Sequence, residues 1–345
     1  MRRFLIIAAL VVVAAGGVWA IAWYVAAQQL IAGIERWADQ RRAEGWQVSY
    51  GAAAPAGFPT KLAAQLTEPV LVVPARGPGG VAWEWRAPTV RVEVVPWRLD
   101  RVTLRNSGAN RVAVARDTLR VDDTLDCDDV LVRLEGGRQR DSSRTLVELE
   151  GAKLQLASPP LTGQASHFAV DLRLYRTPPG DHLQTAVDLG LGVTDLVTGV
   201  LGAVGNTPVT ANLHANLMGA IPAGPLDQAV ATWRDDGGTL EVRRLTFAAS
   251  SVSVLANGTL ALDNQMRPMG AATAAIRGFD EALDRLTGAG TVNPRDAQLA
   301  KLLLSAIAKP DGDGERVLNV PVTGQNGWLY VGPMRLTRLD PLKLR

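Results

Sequence analysis

Arg2 and Arg3 are followed by Phe4 through Val25, 22 residues without a charge that close on Trp19, Trp23 and Tyr24. A helix of about 20 apolar residues matches the roughly 30 Å hydrocarbon thickness of a bilayer. Two arginines ahead of such a run mark the cytoplasmic side, and aromatic rings at its far end belong at the membrane–water interface. Residues 1–25 are therefore predicted to be a transmembrane anchor, with Arg2, Arg3, Trp19, Trp23 and Tyr24 as its flanking residues. The rest of the chain then faces the compartment outside the cytoplasm. A cleavable signal peptide is the competing reading. Its apolar region is shorter, about 7–15 residues, and ends at small residues. Ala20 with Ala22, or Val25 with Ala27, could serve as that site, but Trp23 is a poor neighbour. The length of the run and its aromatic end favour retention. No cysteine follows the run directly, which excludes a lipoprotein anchor.

Without Arg2 and Arg3, basic and acidic residues balance at 34 each. A nucleic-acid surface needs clustered Lys and Arg, so no nucleic-acid partner is expected. Cys127 is the single cysteine, so no internal disulfide can form. Stability must come from a core, which 47% apolar composition can supply.

The helical period continues past the anchor. Leu30, Ile34 and Trp37 recur on one face, and Gly45 is a natural stop. Residues 26–45 are predicted to be a helical stalk packed on the folded part. From Trp46 the period changes to two. Val90, Val92 and Val94 alternate with Arg91 and Glu93; Val170, Leu172 and Leu174 alternate with Asp171, Arg173 and Tyr175. Turn signals recur between such runs, among them Asn106–Asn110, Gly136–Gly137 and Pro178–Asp181, as in a large antiparallel meander. Gly190 to Gly205 reads as weakly helical.

After that segment, Leu226 to Trp233 reads as a short helix. Thr239–Thr246, Ser250–Leu262 and Met269–Arg277 read as strands. Phe279–Leu286 and a segment starting at Pro294 and running through Ile307 read as amphipathic helices. The fold class is α+β, mainly β: one membrane helix, then a large twisted antiparallel sheet carrying a few short helices. Residues 46–190 and 191–345 are its expected halves.

No motif of catalysis emerges, and the chain is not expected to be an enzyme. Asp122, Asp123, Asp126, Asp128 and Asp129 crowd around Cys127 but lack the glycine and terminal glutamate of a calcium loop. The run from Asp311 to Glu315 starts like one, yet the twelfth position is Val322. His167, His182 and His214 lie too far apart for a local zinc motif. Gly199, Gly202 and Gly205 do not have phosphate-loop spacing. No Gly-x-Ser-x-Gly elbow is present. No metal and no cofactor is expected. Trp46, Trp83, Trp85, Trp97, Trp233 and Trp328 fall near strand ends, where large rings close a sheet core or line an apolar ligand groove.

Three stretches carry a resemblance. One is Gly57-Phe58-Pro59 after a Trp-led strand. The second runs from Trp83 to Trp97 and includes Trp85 and Pro88. The third runs from Trp233 through Gly238 to Gly258, Asp263 and Pro268. In this order, behind a single anchor, they resemble the bacterial domain-of-unknown-function 2125 family over nearly the whole chain. The resemblance implies a single-pass inner-membrane protein of uncharacterised function with its bulk in the periplasm, and structural roles for these motif residues. Phe58 in particular is expected to turn inward. The third stretch is also similar in texture to AsmA-like envelope proteins, whose sheets carry lipid between membranes, although fold likeness is a weak guide to function. Beyond the bilayer itself, two partner classes follow. A phospholipid or other acyl ligand would lie in an apolar sheet groove bordered by Leu66 and Leu71. Alternatively, the chain is a non-enzymatic envelope scaffold that binds other membrane proteins.

Overall fold

The computed structural model describes residues 2–75, 80–116, 119–136, 142–157, 160–175, 177–198, 207–222, 224–288, 293–310, 316–332 and 334–342. The Gly199–Gly205 and Asp311–Glu315 motifs fall outside these residues, as does Gly137. The chain divides into two compact units: Met1–Glu135 with Leu154–Pro160, and Gly136–Lys153 with Leu161–Arg345. The described pairings are antiparallel in both, and the expected mainly-β class is what the chain adopts.

The first unit begins with α1 (Arg2–Ala43). At 1.5 Å per residue a helix of 42 residues is roughly twice as long as a bilayer is thick, so its second half must run beyond any membrane. That half packs on β1 (Gln47–Ser49), β2 (Ala53–Ala56) and β3 (Leu62–Thr67). Its buried line is Ala27, Ile34 and Ala38. Both alanines are fully covered, whereas Trp37 is 45% exposed. Small residues at this face let the helix axis approach the strands, so the stripe predicted through Trp37 is displaced onto alanines.

Two rows of strands meet on one long ribbon. In one row β3 pairs with β2 and with β6 (Thr89–Val95), and β6 pairs with the first half of β7 (Arg98–Arg116). In the other, β1 pairs with β4 (Val70–Val73), β4 with β5 (Ala82–Arg86), and β5 with the second half of β7. The far edge of β7 carries β8 (Leu119–Gly136). Asn106–Asn110, predicted as a turn, is instead the middle of β7. A bulge between Asn106 and Gly108, with Gly108 at φ +86°, passes the strand from one row to the other. The buried side chains there satisfy each other. Asn106 Nδ2 donates to Asn110 Oδ1 at 2.5 Å, Trp85 Nε1 donates to the same oxygen at 3.1 Å, and Asn110 Nδ2 donates to the Gly108 carbonyl at 3.0 Å.

After β9 (Ser142–Ala157), the second unit is a meander of β10 (Pro160–Tyr175), β11 (Thr185–Thr198), β12 (Val209–Met218), β13 (Thr239–Ala249), β14 (Val252–Leu262) and β15 (Pro268–Arg277). β15 pairs onward with β17 (Arg316–Gln325), which also carries the two-residue β16 (Lys309–Pro310). β18 (Trp328–Val331) and β19 (Met334–Arg338) close the row. Gly190 and its neighbours to Thr198 are strand, not helix. Val193, Thr194, Val197 and Thr198 are β-branched, and pairing on both edges outweighs the two glycines. α2 (Leu226–Asp235), α3 (Phe279–Gly288) and α4 (Pro294–Ile307) lie where the periodicity placed them; Asn293 Oδ1 caps α4 at the Arg295 N–H, 3.0 Å away.

Candidate functional site

Direct cross-strand partners share a sheet face, and that rule divides the second unit sharply. One row reads Val170, Leu191, Leu213, Leu245, Ala256, Ala274 and Val320. The next reads Phe168, Val193, Ala211, Phe247, Val254, Ile276 and Leu318. A third adds Leu172, Leu189, Ala215, Val242, Gly258, Ala272 and Val322. The opposite face carries Asp171, Gly190, His214 and Arg244 in register. One face is thus apolar across seven strands.

The cover on that face is uneven. α3 and α4 seal its β14–β15–β17 end, where Phe279 and Leu304 close on Ala274, Leu318 and Val320 with Leu283 beside them. On β10 and β11 the apolar residues stay half-buried, and Leu174 and Leu191 are exposed; Leu260 on β14 is exposed too. A face of this width left partly open differs from scattered surface leucines.

An aromatic group lies along the N-terminal half of α1 in the first unit. Trp19 Nε1 donates to the Pro59 carbonyl at 3.0 Å, and Trp23 Nε1 to the Lys61 carbonyl at 2.8 Å. Phe58 stands edge-on to Trp23, ring centroids 5.3 Å apart, and is 54% exposed. The inward turn expected of Phe58 is therefore corrected: the ring rests against Trp23 of α1 rather than in the sheet core. Gly57 makes the loop possible, since its φ is +90° and a Cβ there would lie 2.7 Å from the Lys61 carbonyl oxygen. Trp97, at the β6–β7 turn, closes no core; it is 78% exposed. Tyr24 is exposed on α1. Arg2 and Arg3 occupy the first turn of the same helix.

Other motif residues hold the fold. Trp85 packs against the core of Leu66, Ala87, Val90 and Val92. Pro88 accepts the Glu68 N–H at 2.8 Å. Asp263 closes the β14–β15 turn: Oδ1 accepts from the Gln265 and Arg267 N–H groups, both at 2.9 Å, and Oδ2 from Arg267 Nε at 2.7 Å. Burial raises the pKa of this carboxyl, but the Arg267 guanidinium and the backbone donors outweigh it and hold it below the ordinary aspartate value. Leu66 is 7% exposed in a core cluster against which Ile34 of α1 packs, so it cannot border an open groove. Leu71 is half-buried in β4, opposite Val48 and Trp85.

Among the described residues no three His, Cys, Asp or Glu side chains gather as a metal site would require. His167 instead pairs with Glu150 at 2.8 Å. Cys127 is buried in β8 opposite Gly108. Burial, with the charges of Asp126 and Asp128, pushes its thiol up to about 11. At pH 8 a thiol of pKa near 8.5 is about one-quarter thiolate, whereas one near 11 is about a thousandth, so native Cys127 should react with a thiolate reagent on the order of 100-fold more slowly than in the urea-unfolded chain. Equal rates from a disulfide-exchange dye would show the side chain to be open.

The architecture defines a class: antiparallel-sheet proteins built behind an N-terminal helix long and apolar enough to cross a membrane. Within it, the family described as "Uncharacterized protein conserved in bacteria (DUF2125)" matches residues 23–340, and the chain belongs to that family. No curated protein and no solved structure matches it.

Proposed function

We propose that this chain is a single-pass protein of the bacterial envelope that holds a phospholipid or other acyl chain against the open part of its apolar sheet face. The bulk of the chain lies on the periplasmic side, with Arg2 and Arg3 in the cytoplasm. Two features of α1 support anchoring. Residues Val13–Ala43 form a helix long and apolar enough to cross a membrane, and its most apolar window is 6% buried, whereas a core helix would be covered. The acyl reading is carried by one observation: among the described residues, the seven-strand apolar face is sealed by α3 and α4 at one end only. An acyl chain on that face would remove roughly 0.8 kcal/mol of unfavourable hydration per buried CH₂. No reaction is proposed, and the chain acts by binding.

Native mass spectrometry of the full chain released from membranes in mild detergent tests this. Leu174 and Leu191 lie on the apolar face at 43% and 36% exposure, so an aspartate at either can be solvated and leaves the fold intact. Phospholipid is expected to co-purify with the parent protein and to be lost from Leu174→Asp and Leu191→Asp. A lipid-free parent that instead retains a membrane-protein partner would favour the scaffold. The intact mass reads the anchor directly, since cleavage after Ala22 or Ala27 would remove it.

A further inference from the structure

We infer that the Phe58 and Trp97 loops form a second membrane contact, seating the first unit on the bilayer surface beside α1; this rests on α1 being a membrane anchor. The level of the loops along the helix carries the inference. Twenty residues counted from Phe4, the first after the arginines, end at Trp23, and at about 1.5 Å each they cover the roughly 30 Å of a hydrocarbon core. Trp19 to Trp23 is thus the last turn of the span, and the Gly57–Lys61 loop is hydrogen-bonded to both indoles. That loop is fixed at headgroup depth.

Register brings the second loop to the same level. Leu62 is opposite Val94 in the β3–β6 pair, so Val95 lies beside Lys61, and Pro96 and Trp97 project past it in the direction of the membrane end of α1. The far ends of β3 and α1 agree with this orientation. From Trp23 to Ile34 a helix rises about 16 Å, and from Lys61 to Leu66 a strand advances about the same; Ile34 does pack against the core cluster that contains Leu66.

Two separate turns therefore present their most exposed aromatic rings, Phe58 at 54% and Trp97 at 78%, at one end of the unit. Aromatic rings concentrate at membrane–water interfaces, where a flat apolar body meets both media. Arg98, exposed at the same turn, is suited to anionic headgroups, while Lys61, 61% exposed, is paired with Glu93 at 3.2 Å. A lipid surface meets both requirements together.

Nitroxide labels on the full-length protein in nanodiscs of phosphatidylethanolamine and phosphatidylglycerol test the depth. The variants are Phe58→Cys, Trp97→Cys, Val13→Cys and Gln40→Cys, each with Cys127→Ser. Collision with oxygen relative to a water-soluble nickel chelate is expected to be several-fold higher at 58 and 97 than at Gln40, an exposed position on the membrane-distal part of α1. Trp97 makes so little contact that its replacement leaves the fold intact, which protects the test if Phe58→Cys does not fold. A water-like reading at 97 with a deep reading at 13 overturns the second contact and leaves the anchor standing. A water-like reading at 13 overturns the anchor itself.

Discussion

Trp233→Ala is expected to lower the stability of the second unit by about 3–5 kcal/mol, the range for removing a large buried aromatic ring. Trp233 is 6% exposed at the end of α2, and its Nε1 donates to the Met218 carbonyl at 2.7 Å. The indole also lies directly on the following turn: a Cβ on Gly238 would sit 2.2 Å from Nε1. Truncation leaves a cavity and strips a buried carbonyl of its donor, and both losses act in the same direction. Trp233→Phe retains most of the ring and loses the hydrogen bond, so it should fall between the parent and alanine. Denaturant unfolding measures both. A cost below 1 kcal/mol for alanine would mean that α2 does not depend on the ring for docking.

What could be read from the chain divides along local and long-range physics. The long apolar helix, the stop at Gly45, the helices at Leu226, Phe279 and Pro294, and the strands from Thr239 to Arg277 are set by periodicity and capping within a few residues. Alternation likewise gave the apolar face of β10 to β17 in outline. The directions of single rings were not legible. Phe58 and Trp97 sit in turns whose orientation depends on α1 and on the β3–β6 register, and no local pattern encodes either. Leu66 is equivalent to Leu71 in the sequence; it is sealed within a core cluster against which Ile34, 32 positions earlier, packs. Asn106 to Asn110 has the composition of a turn, and a bulge uses the same residues, so pairing with β8 along this stretch decided the outcome. The buried line of α1 runs through alanines, which carry little hydrophobic signal but allow close approach.

The same reasoning makes Gly258 an intolerant position in the β14–β15 pair. It is opposite Ala272, and a Cβ there would lie 2.4 Å from both the Ala271 carbonyl oxygen and the Ala272 Cα. Those are backbone atoms of β15, itself held by β17 on its other edge, so no side-chain rotation can relieve the contact. Gly258→Val is expected to destabilise by about 3 kcal/mol, the upper part of the range for overpacking a filled interior. Valine's preference for strands acts in the opposite direction, by at most about 1 kcal/mol, and is the smaller effect. Gly288 is the control: a Cβ there meets nothing within 4 Å, and Gly288→Ala should change stability little. Thermal or denaturant unfolding of the two variants separates the readings. If Gly258→Val unfolds at the parent's midpoint, the strands have room to part, and β14 and β15 pair more loosely than their register implies.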